Sequence, residues 1–389
     1  MLSREDVRWA YRLLLGREPE SEDVITAACR LPDIETLRQQ FIASDEFALS
    51  NKVMWLRGYW VAAPVLEGKY LMWIDLGDRY MSFGCLLDNY EPVETAYMKA
   101  ALQPGDVVVD AGANLGWFSL VASSLVGPTG RVHAFEPRPE TADFLARTIA
   151  LNGLGERVAV YRCGLADSTG ESVLVWSDRT DNPGGSTLGD GLALDGLQQH
   201  TIALRPLDEL DMARLDFIKA DVEGAELRLF RGAQRTLERW RPAILSELGP
   251  HMLQRVSGAS VADYFAFFDR LGYRAYIIDM QRCGEEIRDF PADWHKPLIN
   301  VALLPTGTRH ERLAETLPRL LPQLGQAHAA EAAPLLSPTV YPMQHLKQRR
   351  RHLDGEPPNS AGAGSSSVLS RLGRRAAANW RRWTSAAAK

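Results

Sequence analysis

The stretch Val107–Glu136 constrains the fold of this chain more than any other part of its sequence. It reads VVVDAGANLGWFSLVASSLVGPTGRVHAFE: an apolar run, a turn with glycines at 112 and 116, a helix of apolar and small residues, and a second apolar run that ends on an acid. Strand, glycine turn, helix and strand in this order are typical of the opening of a parallel α/β sheet. Ligands of such sheets bind at the carboxyl ends of the strands, and we expect the functional site there.

The sequence beyond this unit predicts a larger sheet. Apolar runs continue to alternate with predicted helices of about 10–15 residues, which implies parallel strands joined by crossovers. The last two runs, Tyr273–Asp279 and Leu298–Leu304, have only a loop between them, so one of the two is expected to run antiparallel. We therefore predict an α/β fold with a seven-stranded, mostly parallel sheet. Its other later strands are Val158–Cys163, Leu215–Ala220 and Ala243–Leu248.

Composition and periodicity divide the 389 residues into successive parts. These are a helical module (1–50), a connecting segment with a β-hairpin (51–90), the main domain (91–306), a low-complexity linker (307–367) and a basic amphipathic tail helix (368–389). The strands of the hairpin are predicted at Tyr70–Asp75 and Arg79–Phe83, around the turn Leu76-Gly77-Asp78. The linker is predicted because the residues from 327 onward are rich in Ala, Pro, Gly and Ser.

The basic charge of the chain is concentrated near its end. The formal net charge is −5, yet His345–Lys389 carries ten Lys and Arg residues against two acids. Leu372, Trp380 and Trp383 lie at helical spacing among arginines, a pattern typical of helices that bind anionic membrane surfaces. A disordered solubilising tail is the alternative interpretation. Because only the tail is basic, we expect no nucleic-acid partner.

The sequence favours a cytoplasmic location. Its four cysteines are widely separated and form no C-x-x-C pair, which argues against a disulfide framework and for a reducing compartment. The first residues lack the apolar core and cleavage site of a secretory signal. No apolar run approaches the length of about 20 residues that a membrane span needs. The oligomeric state is left open.

The glycine turn predicts a nucleoside-containing cofactor. Gly112 and Gly116 let the backbone approach a ligand, and the helix that follows presents its free N–H groups. Glu136 ends the next strand 20 residues after Gly116. An acid at that position can accept hydrogen bonds from both hydroxyls of a ribose.

Two residues of the turn discriminate between cofactors. A dinucleotide fingerprint requires glycines at 112, 114 and 117, whereas this chain has Asn114 and Trp117. S-adenosylmethionine carries no phosphate, and Asp110 is an acid that can hold its amino group. We favour S-adenosylmethionine on these residues and keep an NAD-dependent enzyme as the alternative.

Several motifs in order then resemble one family. VVVDAGANLGWFSL, RVHAFEPRPETADFL, LDFIKADVEGAELRLFRGA and RPAILSEL, within Glu91–Pro305, resemble the FkbM family of S-adenosylmethionine-dependent methyltransferases. The resemblance implies the class I methyltransferase fold, with strand order 3-2-1-4-5-7-6, and methylation of hydroxyl groups on sugars or other small polar acceptors. Residues 1–50 resemble a helical module found beside glycosyltransferases and methyltransferases of surface-polysaccharide pathways.

The resemblance also implies a set of cofactor-binding residues. Asp110, Gly112, Asn114 and Gly116 match the cofactor loop of the family, and Glu136 matches its ribose-binding acid. Asp167, after the third strand, is a candidate neighbour of the adenine. The polar loop Asp181–Leu188 resembles a variable loop of the family that is a candidate to close over the cofactor or to bind a sugar.

The segment K-A-D-V-E-G-A-E supplies candidate catalytic residues at the same sheet edge. Methyl transfer to a hydroxyl requires an aligned nucleophile and a group that removes its proton. Asp221, Glu223 and Glu226 are the candidates for that base, and Lys219 is a candidate to hold one of them. For Glu226 the alternative is a structural role at the start of the following helix.

A metal-assisted mechanism and a histidine remain as alternatives. Acids at the ends of strands four and five hold Mg²⁺ in O-methyltransferases of the catechol type, and here those positions are Asp221 and Glu247. Leu248 stands where that type has an amide ligand. His251 follows closely and titrates in a useful range, although a plain loop histidine is equally compatible.

Together these observations predict an S-adenosylmethionine-dependent O-methyltransferase with a sugar, glycan or related polar acceptor. The preference for a sugar rests on the family resemblance and on the N-terminal module. The alternative from another class is a non-catalytic, cofactor-binding assembly protein of a polysaccharide pathway.

Overall fold

The computed structural model describes residues 2–12, 18–42, 58–78, 81–176, 186–189 and 197–320. The predicted tail helix, most of the predicted linker and most of the loop Asp181–Leu188 lie outside these ranges. No helix within them is both long and apolar enough to cross a membrane.

The N-terminal region forms three short helices, α1 (Arg4–Ala10), α2 (Glu22–Ala28) and α3 (Ile34–Ile42). Ser3 caps α1 in a reciprocal capping box with Asp6, and the Ser21 side chain caps α2. The caps satisfy backbone N–H groups that such short helices leave free. The buried residues of this region are Val7, Ala10, Tyr11, Ile25, Leu37 and Phe41.

The connecting segment contains a β-hairpin, but not the one that was predicted. The hairpin pairs β1 (Trp60–Val65) with β2 (Tyr70–Asp75). Within the predicted second strand Arg79–Phe83, the described residues belong to a helix, α4 (Met81–Leu86). The cause is a local cap, because the Asp78 carboxylate accepts the backbone N–H groups of Met81 and Ser82.

The main domain alternates strands and helices in chain order. The elements are α5 (Pro92–Ala101), β3 (Val107–Ala111), α6 (Trp117–Val126), β4 (Arg131–Phe135), α7 (Pro139–Leu151), β5 (Val158–Tyr161), β6 (Gly164–Leu165), β7 (Gly170–Trp176), β8 (Thr187–Leu188), β9 (Gln198–Arg205), β10 (Phe217–Ala220), α8 (Glu226–Arg231), α9 (Gln234–Trp240), β11 (Ala243–Leu248), α10 (Pro250–Met252), α11 (Val261–Arg270), β12 (Tyr273–Ile278), β13 (Glu286–Ile287) and β14 (Ile299–Pro305). Short 3₁₀ segments at Leu207–Glu209 and Arg309–Arg312 and a π-helical turn at Leu253–Ser257 complete it.

The large sheet has the predicted topology. Its order is β13-β12-β14-β11-β10-β3-β4-β5, and β14 runs antiparallel to both β11 and β12. Without β13, and with the remaining strands numbered along the chain, this is the order 3-2-1-4-5-7-6 with one reversed strand, as predicted. The two-residue edge strand β13 was not predicted, because so short a strand has no periodicity to detect.

A second, four-stranded sheet of order β6-β9-β7-β8 was not predicted. It is inserted between β5 and β10 of the large sheet. Its apolar side chains form a cluster with residues beside β10. Those of the small sheet are Leu174, Leu188, Ile202 and Leu204, and their neighbours include Val222 and Ala225.

The two faces of the large sheet bury separate apolar clusters. Val108 and Phe217 are paired across β3 and β10 and point into one cluster, whereas the next pair, Val109 and Ile218, points into the other. The first cluster also includes Leu317 and Leu320. These residues lie in a helix at 313–320, so ordered structure extends into the segment that the sequence assigned to the linker.

Candidate active site

A cavity of about 530 Å³ opens at the carboxyl ends of β3, β4, β10 and β11. One end is lined by the glycine turn and by the small sheet. The other end is lined by the start of α5 and by the residues before and at the start of β14. The sheet edge that the sequence predicted as the functional site therefore does contain an enclosed space.

The glycines of the turn are required by the protein's own packing. Gly112 has φ +76°, and a Cβ on it would collide with the backbone carbonyl oxygen of Asp221. Gly116 has φ +102°, and a Cβ there would meet the side chain of Leu145. The turn after β3 thus lies directly against the loop after β10, and a larger residue at 112 would separate them.

Asp110 is the fully buried acid at the base of this turn. Its Oδ2 accepts a hydrogen bond of 2.6 Å from the Ser119 hydroxyl, while its Oδ1 has no hydrogen-bond partner among the described residues. Burial raises the pKa of the Asp110 carboxyl, although Lys219 and Ser119 act in the opposite direction. An unsatisfied carboxylate oxygen fits the cationic amino group of the predicted cofactor.

Glu136 is held by backbone N–H groups at the end of β4. Its two oxygens accept the N–H groups of Asn114 and Arg138, each at 2.9 Å. Burial raises the pKa of Glu136 to about 7 against the effect of these hydrogen bonds. The flanking residues Phe135 and Pro137 line the cavity. Each carboxylate oxygen retains acceptor capacity, which fits a ribose hydroxyl.

The cavity beyond Glu136 has apolar walls. Phe135 lines it from the large sheet and Cys163 from the segment after β5. The small sheet contributes Leu165, Leu174, Leu188, Ile202 and Leu204. An apolar slot beside a ribose-binding acid suits an adenine ring. Asp167, the predicted adenine neighbour, is not among the lining residues, and its carboxylate contacts Arg228 at 3.4 Å.

The loop after β10 brings Lys219 and Asp221 to the glycine turn. The Lys219 ammonium donates to the Gly112 carbonyl at 3.2 Å and to Asp221 Oδ2 at 3.1 Å. Burial alone lowers the pKa of Lys219, but Asp221, Asp110 and Glu91 outweigh it and hold the pKa above its usual range. The contact with Lys219 that the sequence suggested is therefore made by Asp221.

Three further carboxylates face the same cavity. Burial and the charge of Asp221 raise the pKa of both Glu91 and Glu223 to about 8. The pKa of Glu247, at the end of β11, is raised to about 10 by burial and then by Asp221, Glu223, Glu226 and Glu91. The structure thus brings the candidates Asp221, Glu223 and Glu247 together and adds Glu91.

Two predicted catalytic residues do not line the cavity. The Glu226 carboxylate accepts the backbone N–H groups of Val222 at 3.0 Å and Gly224 at 3.2 Å, so it shapes the loop that carries Glu223. Burial raises the pKa of Glu226 to about 7. His251 lies on α10 with an exposed side chain. Neither residue is placed to touch a ligand in this cavity.

The predicted magnesium site is not supported. Among the residues that the structure describes, no group of three or more His, Cys, Asp or Glu side chains is arranged to hold a metal ion. Both candidate ligands, Asp221 and Glu247, line the cavity, but Asp221 is engaged by Lys219.

The far end of the cavity is rich in hydrogen-bonding groups. Asn300 donates its amide N–H to Glu94 at 2.7 Å, and Lys296 is paired with Asp279. The Trp294 indole N–H donates to the Leu298 carbonyl at 2.9 Å. Carboxylates, an amide, an ammonium group and an indole therefore surround the space beyond Glu247.

Comparisons with known proteins identify the family of this chain. The sequence model of the FkbM methyltransferase domain matches residues 110–275. The methyltransferase sdnD of Sordaria araneosa is 30% identical over 187 residues, which cover 38% of this chain and 71% of that protein. The chain belongs to the FkbM methyltransferase family.

Two further comparisons are with proteins named FkbM. The 31-O-demethyl-FK506 methyltransferase FkbM of Streptomyces tacrolimicus is 46% identical over 71 residues, which are 18% of this chain and 25% of that protein. The solved structure of methyltransferase FkbM from Methylobacillus flagellatus KT is 18% identical to the chain, covers 72% of it and 60% of its own length, and has a TM-score of 0.36.

The FkbM match contains the cofactor end of the cavity but not all of its far end. Residues 110–275 include the glycine turn, Glu136 and the loop after β10. Glu91, Glu94, Trp294 and Asn300 lie outside that range, and reasoning from the sequence missed all of them. These residues come from α5 and from the approach to β14, and no local pattern shows that the two segments meet at the end of β11.

Proposed function

We propose that this FkbM-family protein is an S-adenosylmethionine-dependent O-methyltransferase that acts on a hydroxyl of a sugar, glycan or related polar acceptor. One observation carries the proposal: a single cavity joins the glycine turn to a group of carboxylates and to a polar far end. A donor at the turn and an acceptor at the far end would then meet beside Asp221 and Glu223.

The residues at the turn fit the donor. Asp110 would hold the amino group, Glu136 the ribose, and the apolar walls the adenine. S-adenosylmethionine supplies an electrophilic methyl group on a sulfonium centre when it is bound. The free oxygen of Asp110 and the apolar slot beside Phe135 support this assignment.

The carboxylates provide a base for the acceptor. In the reaction the hydroxyl oxygen forms a bond to the methyl carbon, the carbon–sulfur bond breaks, and the hydroxyl proton passes to a carboxylate. A base works best when its pKa lies near the working pH. Glu223, with its pKa raised to about 8, meets this condition, and Asp221, which also lines the cavity, would accept a hydrogen bond that orients the hydroxyl.

The far end of the cavity supports a polyhydroxylated acceptor. Carboxylate and amide oxygens accept hydrogen bonds from hydroxyl groups, and the Asn300 amide can also donate. Trp294 adds an apolar surface. The name of the relative from Streptomyces tacrolimicus describes an O-demethyl substrate, which is consistent with methylation on oxygen.

Binding of the donor is the first test. Calorimetry with S-adenosylmethionine should show binding to the wild-type chain and at least about tenfold weaker binding to Asp110→Asn and Glu136→Gln, because each removes a charged hydrogen-bond acceptor. Asp167→Asn is the control and should bind as the wild type does, since the Asp167 carboxylate is paired with Arg228 at 3.4 Å. Full binding by both site variants would contradict the assignment.

Methyl transfer is the second test. Labelled methyl from S-adenosylmethionine should appear on neutral sugars or on a cell-envelope extract, and Glu223→Gln should lower the rate. Donor binding with no transfer to any acceptor would favour the non-catalytic assembly protein. Binding of NADH in place of S-adenosylmethionine would favour the NAD-dependent alternative.

A further inference from the structure

Lys219 lies where the two loops of the site meet. It is the third residue of β10 and is 5% exposed. Its ammonium donates to the Gly112 carbonyl at 3.2 Å and to Asp221 Oδ2 at 3.1 Å, and it lies 5.2 Å from the centre of the Phe118 ring. One buried cation therefore contacts both the cofactor turn and the loop that faces the acceptor.

The backbones of these loops are also in contact. The Asp221 N–H donates to the Ala111 carbonyl at 3.1 Å, and Gly112 leaves no room for a Cβ against the Asp221 carbonyl. Small movements of one loop are therefore transmitted to the other. The Lys219 ammonium adds a side-chain link between the two loops, because it donates hydrogen bonds to Gly112 and to Asp221.

The Lys219 ammonium offsets the negative charges of the acids that surround it. Asp110, Asp221 and Glu91 all act on it electrostatically, and without it these acids would face one another in a space with little water. Removing one partner of a buried ion pair leaves an uncompensated charge, which is strongly unfavourable. Repulsion between Asp110 and Asp221 would then push the glycine turn away from the loop after β10.

We infer that Lys219 is a positioning residue of the methyltransferase site, which ties the Gly112 turn to the Asp221 carboxylate and so holds the donor-binding and acceptor-facing loops in register. This inference rests on the proposed function. Lys219 acts through Gly112 and Asp221, and it is not among the residues that line the cavity.

S-adenosylhomocysteine is the probe that tests this role. It lacks the sulfonium charge and keeps only the cationic amino group, so its affinity depends less on attraction to the carboxylates, and more on the geometry of the turn, than that of S-adenosylmethionine does. Lys219→Met retains most of the side-chain volume and removes the ammonium. It should weaken binding by about tenfold or more, the effect of losing a hydrogen bond to a charged group.

A substitution of Asp221 distinguishes a positioning role of the Lys219 ammonium from a role in which the Lys219 side chain only fills space. Asp221→Asn should strengthen binding about threefold or more in the Lys219→Met background, because it removes the uncompensated charge, and should not do so in the wild-type background. The double variant also covers the case in which Lys219→Met alone folds poorly. Lys296→Met, which breaks the pair with Asp279 at the far end of the cavity, is the matched control and should retain affinity.

The outcomes distinguish this inference from the proposed function. If the wild type binds neither S-adenosylmethionine nor S-adenosylhomocysteine, the proposed function fails and the inference fails with it. If the wild type binds but Lys219→Met binds equally well, or if Asp221→Asn fails to improve the Lys219→Met variant, only the positioning role is overturned.

Discussion

Strained residues concentrate at the cavity. Seven non-glycine residues in the described ranges have positive φ, and three of them, Glu91, Asn114 and Glu223, line the cavity. Left-handed backbone costs energy for such residues and persists only where surrounding contacts hold it. Here those contacts are visible: the Asn114 N–H donates to Glu136, and the Glu223 carbonyl accepts from Thr187. The site is therefore held in shape by its supporting hydrogen bonds.

Gly112→Ala tests how closely the two loops must approach. The variant should lose donor binding and about 2 kcal/mol or more of unfolding free energy, because its Cβ meets the Asp221 carbonyl in a backbone conformation that alanine disfavours. Thermal unfolding and calorimetry measure the two effects. Gly153→Ala is the control: Gly153 has φ +64° with no atom near its Cβ position, so this change should cost only about 1 kcal/mol. Equal losses in both variants would refute the steric explanation.

Glu247→Gln tests the crowding of carboxylates. Burial, and then Asp221, Glu223, Glu226 and Glu91, raise the folded-state pKa of Glu247 from 4.5 to about 10. Between these values the folded protein retains a proton that the unfolded chain has released, so the stability contribution of this group falls as pH rises. The glutamine variant has no titrating carboxyl at this position and therefore does not lose stability in this way. Its melting temperature should exceed that of the wild type by about 2–4 °C at pH 8.

The pH dependence provides the control for Glu247→Gln. The advantage of the variant should disappear well below pH 4.5, where Glu247 is protonated in both the folded and the unfolded state. Glu285→Gln should behave in the opposite way, because hydrogen bonding to Arg282 lowers the pKa of Glu285 and its contribution is lost as pH falls. A constant difference at all pH values would show that the Glu247 charge is not the cause.

At the scale of elements, the strands and helices that are long and have a clear apolar periodicity were predicted from the sequence. The unit β3-α6-β4 and the reversed last strand were predicted correctly, because apolar periodicity and glycine turns are local signals. The strand order was implied by the family resemblance, and the structure agrees with it. The two-residue strands β6, β8 and β13 gave no such signal. The start of α4 depended on the cap by Asp78, and the helix at 313–320 on its packing against the core.

The candidate site also contains both residues that the sequence predicted and residues that it did not. Asp110 and Asp221 were predicted as site residues from motifs at the ends of predicted strands, and for Asp110 also from the family resemblance. Glu94 and Asn300 are 206 positions apart in the chain, and their hydrogen bond depends on β14 entering the sheet beside β11. Such a contact follows from the tertiary fold and cannot be read from either segment.

Thr187→Val tests the link between the small sheet and the acidic loop. The Thr187 hydroxyl on β8 donates to the Glu223 carbonyl at 2.8 Å, and the isosteric change removes only this hydrogen bond. We expect a loss of about 1 kcal/mol in unfolding free energy and a severalfold loss of donor affinity, since Glu223 holds a strained conformation. Thr201→Val, at an exposed position of β9, is the control. A variant with unchanged donor affinity would show that the small sheet does not support the loop.

At the scale of the whole molecule, acidic residues far outnumber basic residues in the lining of the cavity. Among the described residues that line it, six are acidic and only Lys296 is a Lys or Arg. The acids are Glu91, Glu94, Asp221, Glu223, Glu247 and Asp279. Low water content strengthens interactions between charges in such a space. The crowding of acids that raises the pKa of Glu91, Glu223 and Glu247 also opposes the entry of a further negative charge, so we expect the lining to disfavour an anionic acceptor.

The charge of the cavity predicts a preference among sugars if the proposed function holds. Methyl transfer to a neutral glycoside should exceed transfer to the corresponding uronic acid by about tenfold or more, because the added carboxylate meets carboxylates of the same sign. Labelled methyl incorporation at matched concentrations measures the ratio. Salt at about 0.5 M should reduce the ratio by screening the exposed part of the field. Equal use of both sugars at low salt would show that local contacts, rather than the charge of the cavity, select the acceptor.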